Sequence, residues 1–69
     1  MYLEFMIEFN VLAECLNFSA AAKELYVSQP TLSKHIISFE KELRLSLFER
    51  TGSAMRLTEA GNALLPFAY

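Results

Sequence analysis

Apolar residues recur about once per helical turn at Leu3, Met6, Phe9, Leu12, Ala13 and Leu16, and predict a first helix over about 3–16. Tyr2, Phe5 and Ile7 fall off that stripe and leave a second apolar surface to be covered. Asn17 or Ser19 suits the cap of a second helix, and "FSAAAKEL" supplies its body to Leu25. Ala21 and Ala22 are small enough for another helix to approach closely. Tyr26-Val27-Ser28 leaves room for a tight turn alone. A third helix then begins at Gln29 or Pro30 and runs to about Leu43, with Leu32, Ile36, Phe39 and Leu43 as its core stripe. Ser28 can cap its first amides. Pro30 costs little there, because a first-turn N–H has no helical partner to lose.

After Arg44 the helical period ends. "LFER" and "MRLT" read as short strands around the loop Thr51-Gly52-Ser53-Ala54. Thr58 can cap a fourth helix, "EAGNALLPFAY", which Gly61 weakens and Pro66 should kink or end. No internal repeat, low-complexity segment or linker interrupts these elements.

The chain has 69 residues, enough for one small domain whose core is thermodynamically marginal. A hydrophobic content of 54% suffices for folding and excludes a disordered tail. The single cysteine, Cys15, excludes an internal disulfide framework and reads as a helix-packing residue. The apolar N-terminus lacks a basic start and is interrupted by Glu4, Glu8 and Glu14, so it does not read as a signal peptide. No run approaches the length of a membrane span. The expected compartment is the cytoplasm, and the sequon at Asn17 is read as chance. His35 and Cys15 together provide too few ligands for zinc. No paired carboxylates, nucleophile–base pair or phosphate loop suggests catalysis, so the chain is not expected to be an enzyme.

Two helices joined by a three-residue turn form a helix-turn-helix. The small Ala22, the apolar Val27 after the turn, and Leu32 and Ile36 on the second helix meet its packing requirements together. On a wheel of about 100° per residue, Pro30, Lys34 and Lys41 lie opposite the core stripe. Gln29 and Ser33 flank them on one side, and Thr31 and Ser38 on the other. Such amides, hydroxyls and cations suit base edges in a major groove: Gln can pair with adenine, Lys can donate to guanine, and a Thr methyl can meet a thymine methyl. Ser19, Ser28 and Ser33 are candidate phosphate donors, aided by free amides at the helix starts.

Overall charge argues the other way: 6 Lys and Arg against 8 Asp and Glu give a net charge of -2. Its distribution resolves the conflict. Residues 1–27 carry four Glu and one Lys, whereas residues 28–58 carry five basic and three acidic residues. The positive surplus comes from Arg44 and the hairpin, while residues 28–39 on the third helix carry Lys34 and no acid, and local field governs docking more than the sum does.

"NFSAAAKELYVSQPTLSKHI" followed by "LFERTGSAMRLTEAG" resembles the N-terminal DNA-binding domain of LysR-type transcriptional regulators. The likeness runs from Leu3 to about Ala68. It implies a mainly α winged helix-turn-helix over residues 1–58, with a three-helix core, the helix-turn-helix at about 18–37 and a short β-hairpin wing at about 47–57. Residues 58–69 would begin a linker and dimerisation helix. It also implies that the chain is a fragment. A small-molecule effector would bind an absent C-terminal domain, and no cofactor is expected in the fragment itself. By position, Gln29, Pro30, Ser33 and Lys34 match the groove-reading face, and Thr31 and His35 neighbour it. Ser19 matches a phosphate contact, and Ser28 lies at the helix start. Arg50 matches an Arg near the DNA backbone, with Ser53 and Arg56 on the same wing. Four departures stand out. Arg44 occupies a common glycine position, so the turn after the third helix is expected to differ, and Leu16 also replaces a common glycine. Ile37 and Ser38 fill positions often basic in the family.

The expected partners are double-stranded DNA with two half-sites and a second copy of the chain, with no membrane. Tyr2, Phe5, Leu64, Leu65 and Phe67 are the candidate dimer residues, and Leu64, Leu65 and Phe67 also suit packing back on the domain. The rival reading is a winged-helix protein-interaction module whose third helix is merely solvated.

Overall fold

Each helix in the computed structural model begins or ends on a residue whose side chain or backbone satisfies amides and carbonyls the helix itself leaves free. The structure describes residues 2–52 and 54–68. Along the chain lie α1 (Tyr2–Cys15), α2 (Phe18–Leu25), α3 (Gln29–Leu43), β1 (Phe48–Thr51), β2 (Ala54–Leu57) and α4 (Glu59–Ala68). Asn17 caps α2, its Oδ1 accepting from the Ala20 amide at 2.9 Å. Ser28 caps α3 by accepting from the Thr31 amide at 3.2 Å. Thr58 starts α4 by accepting from the Gly61 amide at 3.1 Å. These are the winged helix-turn-helix elements the sequence predicts, with each strand boundary moved by one residue.

Among the described residues, three that are not glycine take left-handed conformations: Leu16 (φ 50°), Tyr26 (φ 59°) and Arg44 (φ 57°). The turn after α3 therefore keeps the left-handed form that Arg44 was expected to disturb. Arg44 N–H donates to Lys41 O at 3.2 Å and Leu45 N–H to Glu40 O at 3.1 Å. The same pair of bonds closes α2, from Tyr26 to Lys23 and from Val27 to Ala22. Satisfied carbonyls at the helix end offset the steric cost of a Cβ in this conformation.

The core has two parts. Leu12, Ala21, Ala22, Leu32 and Ile36 join α1, α2 and α3. Phe9, Phe39 and Leu47 join α1, α3 and the base of the hairpin, with Leu57, Ala60, Leu64 and Leu65 packed against them. Phe48 touches both parts. Burying each of Leu12, Leu32 and Leu47 completely stabilises the fold by about 1.5–3 kcal/mol. Cys15 packs beside the first part; burial pushes its thiol pKa up, and Glu24 and Glu14 add to the shift.

The inward face of α1 corrects the sequence reading. Of the expected stripe Phe9 and Leu12 are buried, but Leu3 is 73% exposed and Leu16 is also exposed. Phe5 instead enters the core region, its ring 5.4 Å from that of Phe39. A helix with apolar residues on several sides has no unique inward stripe, and the larger ring took the place beside Phe39.

The strands pair antiparallel, with Phe48 opposite Leu57, Glu49 opposite Arg56, Arg50 opposite Met55 and Thr51 opposite Ala54. Gly52 supplies the left-handed turn residue at φ 62°. α4 then crosses the hairpin base so closely that a Cβ on Gly61 would overlap Leu47 O and come within 2.8 Å of Leu57 Cδ2. Pro66 does not end α4, which continues to Ala68. A proline removes one amide hydrogen bond, a local loss so near the end of the element.

Candidate nucleic-acid interface

The start of α2, the first half of α3 and the inner face of the hairpin border one side of the domain. On α3, Gln29, Pro30 and Lys34 are exposed, and Thr31 and Ser33 are half-buried. Ser28 Oγ donates to Thr31 Oγ1 at 2.8 Å while accepting from the Thr31 amide. The two hydroxyls are thus ordered against each other, leaving Thr31 Oγ1 with a proton to donate. Lys34 has no carboxylate partner among the described residues.

Strand alternation separates the two wing arginines. Arg56 and Glu49 form a cross-strand ion pair on one face of the hairpin. Arg50 lies on the other face, in line with Phe48, with its Cζ 4.9 Å from the centroid of the Phe18 ring. A cation over an aromatic face is attracted by the ring quadrupole. Among the described residues no carboxylate forms an ion pair with Arg50, whereas Arg56 is paired with Glu49.

Arg50 and Phe18 form the ridge between two clefts. One, of about 340 Å³, runs between the start of α2 and the wing and is lined by Asn17, Ser19, Gln29, Arg50 and Gly52 among others. The second, of about 260 Å³, lies between α3 and the wing, with Ser33, Ile37 and Met55 on its walls. The structure thereby brings Ser19, Gln29 and Arg50 together, and places Ser33 on the far side of the ridge.

Other candidates fall elsewhere. His35 does not turn outward with Lys34. Its Nδ1 lies 3.0 and 2.9 Å from the two carboxylate oxygens of Glu8 on α1, and its ring packs 5.9 Å from Phe5. Position 35 lies on the side of α3 that meets α1, and the buried carboxylate of Glu8 needs a donor there. Phe5, a candidate dimer residue, is committed to Phe39, and Leu64 and Leu65 pack partly against the second core cluster. Ser53 lies outside the described residues, as do the side chains of Tyr2 and Phe67.

Sequence reasoning missed Glu40. Its Oε2 accepts from the Leu47 amide at 2.7 Å and the Phe48 amide at 3.3 Å, fastening the hairpin base to α3. An acid near a helix end gives no spacing signal of such a role. Phe18 was read as part of a helix and not as a platform for Arg50. Among the described residues no cluster of three His, Cys, Asp or Glu is arranged to hold a metal, and no helix is long and apolar enough to cross a membrane.

Residues 3–62 match the family profile described as "Bacterial regulatory helix-turn-helix protein, lysR family". An HTH-type transcriptional regulator from the ibpB-leuC intergenic region of Azotobacter vinelandii is 49% identical over 61 residues, which are 88% of this chain and 42% of that protein. The chain therefore spans less than half the length of this relative. Two solved structures superpose over 99% of the chain with a TM-score of 0.91. One is the CbnR_DBD-DNA complex, 38% identical, with 78% of that chain covered. The other is the BenM_DBD/catB site 1 DNA complex, 32% identical, with 76% covered.

Proposed function

This chain belongs to the lysR family of bacterial regulatory helix-turn-helix proteins, and we propose that it is the sequence-specific DNA-binding domain of a longer transcriptional regulator. The observation that carries this reading is the first half of α3: among the described residues no carboxylate pairs with Gln29, Pro30, Ser33 or Lys34, at a helix start capped by Ser28. In the two similar DNA-binding domains the same fold is seen in complex with DNA.

In this reading α3 enters the major groove, where Gln29 and Lys34 read base edges and Thr31 offers a methyl and a hydroxyl. Ser19 and Ser33 donate to phosphates, Thr31 Oγ1 takes the place expected of Ser28, whose one hydroxyl proton is given to it, and the wing, through Arg50, Ser53 and Arg56, holds the backbone or the adjacent minor groove. His35 contributes by setting α3 against α1. The chain acts as a homodimer through α4, so that the reading face meets two half-sites. An effector-binding domain follows in the full regulator, which works in the cytoplasm at the nucleoid.

Selection from a randomised duplex pool, repeated at two salt concentrations, tests the reading. The expected result is an enriched motif whose affinity falls steeply as salt rises. A pool with no enriched motif and no salt dependence would overturn it in favour of a protein-interaction module.

A further inference from the structure

Arg50 is the last residue on the inner face of β1 before the hairpin leaves the core. Phe48, two residues earlier on that face, packs into both core clusters. Arg50 reaches past them to the ridge between the two clefts. Its sequence neighbour Glu49 points to the opposite face and is occupied by Arg56. The group that holds the Arg50 guanidinium is the Phe18 ring, 4.9 Å away. An acid in that place would hold the arginine and neutralise it. An aliphatic side chain would do neither. An aromatic face holds it and leaves its charge and donors available.

Phe18 is itself fixed. It is the first residue of α2, follows the Asn17 cap, and is packed against the first core cluster. Ser19, next along the helix, shares a cleft wall with Arg50 and Gln29. We infer that Phe18 is a positioning residue for DNA binding: its ring pre-places Arg50, unneutralised, where a backbone phosphate passes between the start of α2 and the wing. A long side chain already held near its bound position loses less freedom on binding. The inference rests on the DNA-reading function above.

The test is a double-substitution cycle on a duplex recovered from the randomised pool by the unaltered chain. Phe18→Leu is expected to weaken binding about two- to fivefold when Arg50 is present, the size of an exposed cation–π contact. In the Arg50→Ala background it is expected to change nothing further. Loss of the same factor in both backgrounds, or of none in either, overturns the inference. Because Phe18 is half-buried, a second variant guards against a folding effect. Pentafluorophenylalanine at position 18 keeps the ring's shape and reverses the charge of its face. It is expected to reproduce the loss seen with Phe18→Leu, and unchanged affinity overturns the inference. An unaltered chain that recovers no duplex would overturn the DNA reading itself, before any substitution is made.

Discussion

Both carboxylate oxygens of Glu8 lie on a single atom of His35, Oε1 at 3.0 Å and Oε2 at 2.9 Å from Nδ1. Glu8 is only 8% exposed, so its acceptors depend on this partner from α3. His35→Ala should lower stability by about 1–3 kcal/mol, because it strips a buried acceptor of its donor. Replacing both residues, Glu8→Met with His35→Leu, should cost less than His35→Ala alone, since no unpaired buried charge remains. Urea denaturation measures both. A double variant no better than the single one would show that the pair does more than satisfy itself.

Lys34 and Arg50 should fail in different ways. Lys34→Ala should cost about 1–3 kcal/mol on the selected duplex and relax preference at one position. Arg50→Ala should weaken all duplexes alike and reduce the salt slope by roughly 1. Arg56→Ala should have the smaller effect of the two wing substitutions, because Glu49 already offsets its charge. Equal loss from Lys34→Ala on selected and unrelated duplexes would remove that residue from base reading.

Arg44 is held left-handed at φ 57°. Arg44→Gly should therefore stabilise the domain by about 1 kcal/mol, as the Cβ clash disappears. The gain is read as a higher urea midpoint with an unchanged slope. A lower midpoint would mean that the Arg44 side chain supplies compensating contacts.

Gly61 should resist replacement. Alanine is the better helix former. Yet Gly61→Ala drives a methyl into the Leu47 carbonyl, and should lower stability by about 1–3 kcal/mol. Thermal denaturation gives the sign directly, and a stabilised variant would contradict the packing of α4 on the hairpin.

How much of this was legible in the sequence differs from element to element. The α3 stripe was readable because Leu32, Ile36 and Phe39 form one apolar line on a helix whose other face is polar apart from Ile37, and all three are buried. The α1 stripe was legible at Phe9 and Leu12, which are buried, and misread at Leu3 and Leu16, which are exposed, while Phe5, read as off the stripe, packs on Phe39. Arg50 was legible as a wing residue. Its separation from Arg56 followed only from the strand register, since one step of register exchanges the faces. Glu8 with His35, and Glu40 with the hairpin base, are pairings between distant positions that no local pattern announces.

The Leu47 peptide is where the reading helix and the outgoing helix share one anchorage. Its N–H is held by Glu40 of α3 and its carbonyl by the amide of Thr58, which opens α4. Thr58 also donates its hydroxyl proton to Ser46 O, so the grip spans two residues. The start of α4 is therefore bonded directly to the root of the wing and, through Leu47 and Glu40, to the last turns of α3. A change in the direction of α4 at its start has to break these bonds or carry the wing root with it.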